Sequence, residues 1–244
     1  MKKLGLIGYP LTHSFSKKYF AEKFKQENIS GWEYDLFPLE KIEELPDLLI
    51  QNPSIVGLNV TIPYKELVIP YLDEIDESAA FGAVNTIRMQ GNKLHGFNTD
   101  VYGFENSLKP MLKAHHKGAL ILGTGGAAKA VVWVLERLGI VCKYVSRTPR
   151  EGQFSYKNID KKMLEDYSII VNTTPLGMYP NVDFCPILPY HELSDRHLLY
   201  DLVYNPNVTT FLNNGKKQGA DIKNGLEMLY LQAERAWDIW NYLN

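Results

Sequence analysis

The chain has 244 residues, 45% of them hydrophobic, and its 26 Lys+Arg nearly balance 28 Asp+Glu for a net charge of -2. That is apolar material for one or two packed domains and excludes a disordered chain. Basic residues form no run, so nucleic acid and anionic membranes have no electrostatic footprint, and a small molecule is the expected partner. The N-terminal "MKKLGLIGYPL" is broken by Pro10 before an apolar signal core can form, and no apolar run approaches the ~20 residues of a membrane helix. Cys142 and Cys185 lack the paired spacings of zinc sites or disulfide frameworks, so the sequence predicts a cytoplasmic protein without a bound metal.

Short Val/Ile/Leu strands alternate with amphipathic segments, the pattern of an α/β fold with largely parallel sheets. Strands are predicted at "LGLIG" (Leu4 to Gly8), "EYDLF" and "IVGLNVT", with a helix at "KKYFAEKFKQEN". Two more, "VNTIRM" and "KLHGF", are joined by "QGN" as a hairpin. After a polar crossover, "GFENSLKPMLKAHHKG", a second series runs "GALILG", "VCKYVS", "SIIVNT", "LLYDLVY" and "ADI". The expected domains are 1–102, with 223–244 packing back on it, and 103–222. The stretch from Thr148 to Asp160 is poorly periodic and predicts no defined helix. At the C-terminus Leu226, Leu229, Ala233, Ala236, Trp237, Trp240 and Leu243 recur at helical spacing, and Asn224 with Glu227 is the expected N-terminal cap.

In "NVTIPYK", Asn59 and Thr61 alternate with Val60 and Ile62, so the period of two points the polar pair to one face and the apolar pair to another, where it can pack on helices. Lys65, just past the strand-ending Pro63, can reach the space of the polar pair; it reads equally as a surface lysine. Asn85 and then Asn98, Thr99 and Asp100 flank the hairpin. Asp100 reads either as a helix N-cap or as the carboxylate partner of a lysine in acid–base chemistry.

Gly123, Gly125 and Ala128 match G-x-G-x-x-G/A between an apolar strand and a helical pattern. The first glycine permits the tight turn, the second lets backbone approach a pyrophosphate, and the small third residue lets helix and strand pack. At the end of the next strand, "VSRTPR" places Arg147 and Arg150 where an NAD-binding chain would carry an acidic residue. Arginines there suit a 2′-phosphate, and so NADP, or else are solvated loop residues.

Taken in order, "GYPLTHSFS", "NVTIPYK", "GAVNT", "GFNTDVYG", "GTGGAAKA", "SRTPR", "NTTPLGM", "DLVYNP" and "NGLEMLYLQ" resemble the shikimate dehydrogenase family over nearly the whole chain. The resemblance implies an N-terminal α/β substrate domain, a Rossmann-type doubly wound NADP domain and a C-terminal helix returning to the first. It implies NADP-dependent, reversible reduction of 3-dehydroshikimate to shikimate, a step of aromatic amino-acid (chorismate) biosynthesis, by a monomer or homodimer. Carried across, Lys65 and Asp100 are implied as the catalytic pair, and Ser14 and Ser16 as ligands of the substrate carboxylate. Asn59, Thr61, Asn85 and Gln232 are implied to hold the ring hydroxyls, with Tyr204 lining the cleft. Gly123, Gly125, Gly126, Ala127, Ser146, Arg147, Thr148, Arg150, Thr173 and Met228 are implied to hold the cofactor. Ser14 or Ser16 reads otherwise as a helix cap, Gln232 as an exposed helical residue and His13 as packing. The chain departs from the family pattern at Lys17, where proline is usual, at Tyr19 and Phe20, at Ser146, where asparagine is usual, and at Arg150, one residue early. Alternatives are a quinate/shikimate dehydrogenase using NAD(P) and a non-catalytic sensor of shikimate-type ligands.

Overall fold

The structure is a computed structural model that describes residues 1–11 and 14–241; His13 and Leu243 lie outside the described residues. The chain divides into two compact units, Met1–Thr99 with Ala233–Asn244, and Asp100–Gln232. Its helices are α1 (Phe15–Gln26), α2 (Leu45–Gln51), α3 (Tyr64–Leu67), α4 (Thr99–Leu108), α5 (Gly126–Arg137), α6 (Lys161–Asp166), α7 (Thr210–Lys217) and α8 (Leu226–Asn241). No helix among the described residues is long and apolar enough to cross a membrane.

In the first unit β1 (Lys2–Gly8), β2 (Trp32–Pro38), β3 (Ile55–Val60), β4 (Glu74–Ile75), β5 (Thr86–Gln90) and β6 (Lys93–Phe97) form one sheet in the order β2-β1-β3-β5-β6-β4. The first three strands pair in parallel, and β5 and β6 form the antiparallel hairpin around Gly91, whose φ of +60° suits a glycine. Period two sorts the core: Leu4 and Leu6 face an aromatic layer of Phe20, Phe24, Trp237 and Trp240, while Ile7 joins Leu58, Val60 and Ile87 on the other side. The C-terminal half of α8 is fixed to this sheet. The Trp240 indole lies where a Cβ on Gly57 would stand, and its Nε1 donates to the Ile87 carbonyl at 2.9 Å. Lys23, buried under the same layer, is neutralised by Glu27 and Glu234, each at 2.8 Å.

In the second unit β7 (Gly118–Leu122), β8 (Val141–Ser146), β9 (Phe154–Ser155), β10 (Ile169–Asn172), β11 (Leu198–Asp201) and β12 (Asp221–Asn224) form a wholly parallel sheet in the order β12-β11-β10-β7-β8-β9. The order reverses between β7 and β10, the switch point at which doubly wound sheets bind dinucleotides. The all-apolar runs of β7 and the start of β10 are fully buried, as central parallel strands require.

Two local stretches take a definite form. Within 148–160 the chain forms β9 and a single 3-10 turn at Tyr156–Asn158, closed by reciprocal bonds between Ser155 and Asn158; a two-residue strand is too short to show a period. Of the cap from Asn224 and Glu227 only the first half forms: Asn224, although it ends β12, accepts the Leu226 amide on Oδ1 at 3.2 Å, but Glu227 does not reach back to it. Gly225 accepts the first intrahelical bond, from Leu229 at 3.0 Å, and Glu227 pairs with Lys223.

Candidate active site

Several of the predicted polar residues of the first unit meet in one buried hydrogen-bond network. The Ser16 hydroxyl, at the start of α1, lies beside the phenol of Tyr34, which donates to Asn59 Oδ1 at 2.7 Å. Asn59 Nδ2 donates to the Asn85 carbonyl at 3.3 Å and to Thr86 Oγ1 at 3.2 Å. Asn85 Oδ1 in turn accepts from Thr86 Oγ1 at 3.0 Å and from the Thr99 amide at 2.7 Å. Burial pushes the Tyr34 phenol far up, so it stays protonated and serves as the donor to Asn59. Tyr34, Thr86 and Thr99 complete a chain from β2 to the start of α4. Tyr34 carries no sequence signal, since an inward tyrosine on a strand reads as core. Ser14 caps α1 by accepting the Lys17 amide at 3.2 Å, which leaves its hydroxyl proton able to donate elsewhere.

The alternation expected through "NVTIPYK" stops early. Val60 is buried, but Ile62 is 75% exposed and does not pack, because β3 ends at Val60 and Thr61 turns the chain by accepting from Tyr64 at 2.9 Å. Thr61 is half-buried beyond the strand end, and its amide still pairs with Ile7 at 2.9 Å. Lys65 then falls in the one-turn helix α3, half-buried. Its carbonyl accepts the Val84 amide at 2.7 Å, while Asn98 Nδ2 donates to the Ala83 carbonyl at 2.8 Å. The tripeptide Ala83–Asn85 is thus clamped between the lysine's backbone and the residues just before Asp100. Asp100 itself is half-buried in the first turn of α4.

In the second unit the glycine turn fits a dinucleotide phosphate. Gly123 takes φ +110°, and a Cβ there would come within 2.7 Å of Thr173 Oγ1, so only glycine fits. A Cβ on Gly125 would meet nothing within 4 Å; the backbone faces open space just ahead of the first amides of α5, those of Gly126 and Ala127. Ala128 is fully buried at the helix–strand contact. Beside the turn lies a cavity of about 530 Å³ lined by Thr124, Lys129, Tyr144, Ser146, Thr148, Pro149, Arg150 and Gln153. Two cations and several hydroxyls form a donor set suited to a phosphate on a ribose. Arg147 is exposed and outside that lining. Lys129 was not singled out from the sequence, although a lysine in the first turn of a helix opposes the macrodipole and so signals an anion there.

The remaining predicted residues sit at or near strand ends of this unit. Thr173 follows β10 and donates its hydroxyl to the Leu122 carbonyl at 2.7 Å. Tyr204 is partly exposed after β11, its phenol pushed up by burial. Met228 is buried in the first turn of α8, its carbonyl against Gly103, and Gln232 is half-buried one turn on, its amide donating to Leu229 at 2.9 Å. Among the described residues, no group of three or more His, Cys, Asp or Glu side chains is placed to hold a metal.

Comparison with known proteins points the same way. Residues 6–87 match the model of the shikimate dehydrogenase substrate binding domain. The chain is 43% identical to the shikimate dehydrogenase (NADP(+)) of Clostridium beijerinckii over 98% of its own length and 92% of the relative's. A crystal structure of shikimate dehydrogenase in complex with NADP+ superposes with TM-score 0.86 at 35% identity, covering 100% of this chain and 91% of that one. The Thermus thermophilus shikimate 5-dehydrogenase in complex with NADP(H) and shikimate gives TM-score 0.86 at 30% identity, covering 100% and 94%. Identity of this extent, end to end and on the same two-sheet architecture, places the chain in the shikimate dehydrogenase family.

Proposed function

We propose that the chain catalyses the NADP-dependent, reversible reduction of 3-dehydroshikimate to shikimate in aromatic amino-acid biosynthesis. The observation that carries this is its 43% identity, over nearly the whole of both chains, to a relative named shikimate dehydrogenase (NADP(+)). The chemistry supplied by the nicotinamide, when bound, is hydride transfer at the ring carbonyl carbon. Gly123, Gly125, Gly126 and Ala127 would hold its pyrophosphate; Ser146, Arg147, Thr148 and Arg150 the adenosine ribose and its phosphate; and Thr173, Tyr204 and Met228 the nicotinamide end.

Ser14 and Ser16 donate to the substrate carboxylate, and Asn59, Thr61, Asn85 and Gln232 hold the ring hydroxyls. Lys65 as an ammonium stabilises the developing alkoxide and delivers its proton to that oxygen; in the oxidative direction it takes the proton back. Asp100 orients the lysine and the reacting hydroxyl, or itself accepts the proton. A cytoplasmic location, with which the two free cysteines agree, belongs to the same reading, as does a monomeric or homodimeric state. Absorbance at the nicotinamide band tests it, with shikimate and quinate each offered with NADP and NAD. Turnover of shikimate with NADP well above the other pairs is expected; preference for quinate, or no turnover with any pair, would overturn it.

A further inference from the structure

The deepest polar cluster of the second unit is not among the residues assigned above. Asp201 ends β11 and lies opposite Asn172, which ends the neighbouring β10. Both residues are fully buried, as is Thr209. The Asp201 carboxylate takes three donors: Asn172 Nδ2 at 2.9 Å and the Val203 amide at 3.0 Å on one oxygen, and the Thr209 hydroxyl at 2.6 Å on the other. Each donor controls a different piece of backbone. Asn172 Oδ1 accepts from the amide and hydroxyl of Thr174, at 3.1 and 2.6 Å, which folds the turn carrying Thr173. The Val203 bond turns the chain immediately before Tyr204. Thr209 caps α7 by accepting from Leu212 at 3.3 Å and so fixes the far end of the same loop. The two loops are also tied to each other, Tyr179 donating to the Asn205 carbonyl at 3.1 Å.

In a doubly wound sheet the ligand crosses the carboxyl ends of the strands, one mononucleotide over each half. The glycine turn and the phosphate-type cavity occupy the β7–β9 half, which leaves the ends of β10 and β11 for the nicotinamide. Burying a carboxylate to accept three hydrogen bonds is costly unless the arrangement it fixes is needed. We propose that Asp201 is a positioning residue: through Asn172, Val203 and Thr209 it sets the two loops that present Thr173 and Tyr204 to the nicotinamide, an inference that rests on the dehydrogenase reading above.

The test compares wild type with Asp201→Ala, Asp201→Asn and Thr209→Val, measuring shikimate oxidation with NADP and amide-proton exchange at Val203 and Thr174. A misplacement of about 1 Å costs about 10²-fold in rate, so Asp201→Ala should lower kcat by about that much and Thr209→Val by about tenfold. KM for NADP should stay within about threefold, because the adenosine end is bound on other strands. Asp201→Asn should recover at least about tenfold over Asp201→Ala, since its carbonyl keeps the Asn172 and Val203 bonds while the Thr209 hydroxyl turns to accept. Exchange at Val203 and Thr174 should quicken in the alanine variant. A folded alanine variant with wild-type kcat, or a loss appearing in KM instead, would overturn the proposal. Should the alanine variant not fold, Thr209→Val carries the same comparison. An inactive wild type would defeat the dehydrogenase reading alone; unchanged exchange at Val203 in the variants would defeat the positioning role even then.

Discussion

The backbone amide of Val84 donates to the carbonyl of Lys65 at 2.7 Å, so the lysine is fixed by its main chain to the segment that Asn85 closes on the other side. A side chain anchored this way can be removed without moving its neighbours. If Lys65 handles the proton, Lys65→Ala should lower kcat for shikimate oxidation by about 10²- to 10⁴-fold with KM nearly unchanged. Circular dichroism and thermal unfolding should match wild type. A variant with normal turnover would remove Lys65 from the chemistry.

Ser14 and Asn85 should fail in different ways. Ser14 caps a helix, so Ser14→Ala should cost about 1 kcal/mol of stability and mainly raise KM for shikimate. Asn85 is buried, and its side-chain oxygen accepts from Thr86 and Thr99. Asn85→Ala strands those donors, at about 1–3 kcal/mol each, and should lower both the melting temperature and kcat/KM. Steady-state kinetics with calorimetry would separate the two; equal effects on KM and stability would contradict the assignment.

The cofactor phosphate offers a third comparison. Lys129 and Arg150 line the same cavity as Ser146 and Thr148, whereas Arg147 does not. A charge-assisted hydrogen bond contributes about 1.5–3 kcal/mol, so Lys129→Ala and Arg150→Ala should each reduce kcat/KM for NADP by about tenfold or more while leaving NAD nearly unchanged. Arg147→Ala should have the smaller effect. If Arg147→Ala alone abolished the preference for NADP, the cavity would not be the phosphate site.

These residues differ in how far the sequence discloses them. The glycine turn was legible because its chemistry is local: strand, turn and helix lie within one short stretch, and the φ of Gly123 follows from it. The lysine after β3 was legible as a motif, but the fate of Ile62 was not, since the strand ends where the backbone of Thr61 finds Ile7 and Tyr64 rather than where the apolar pattern ends. The Tyr34–Asn59–Thr86 chain and the Asn172–Asp201 pair join residues far apart in sequence. No period or propensity brings them together; strand register does, antiparallel for Asn59 opposite Thr86 and parallel for Asn172 opposite Asp201.

That register also sets a pH dependence. Burial pushes the Asp201 carboxyl up to about 6, against the opposing hydrogen bonds from Thr209, Val203 and Asn172. Tyr190 senses its charge, but burial holds that phenol neutral throughout the acid range. Because the folded value exceeds the unfolded value of 3.8, the folded state binds the proton more tightly. The stabilisation is fully present below the unfolded value and is lost as pH rises through about 6. A difference of this size corresponds to about 3 kcal/mol. Asp201→Asn cannot titrate, so between about pH 4 and 7 its stability relative to wild type should rise by about that amount and then level off. Urea unfolding of both proteins across this range, taken as a difference so that the other carboxylates cancel, measures it. A difference that stays flat or falls with pH would mean that the three donors outweigh burial and hold Asp201 ionised at no net cost.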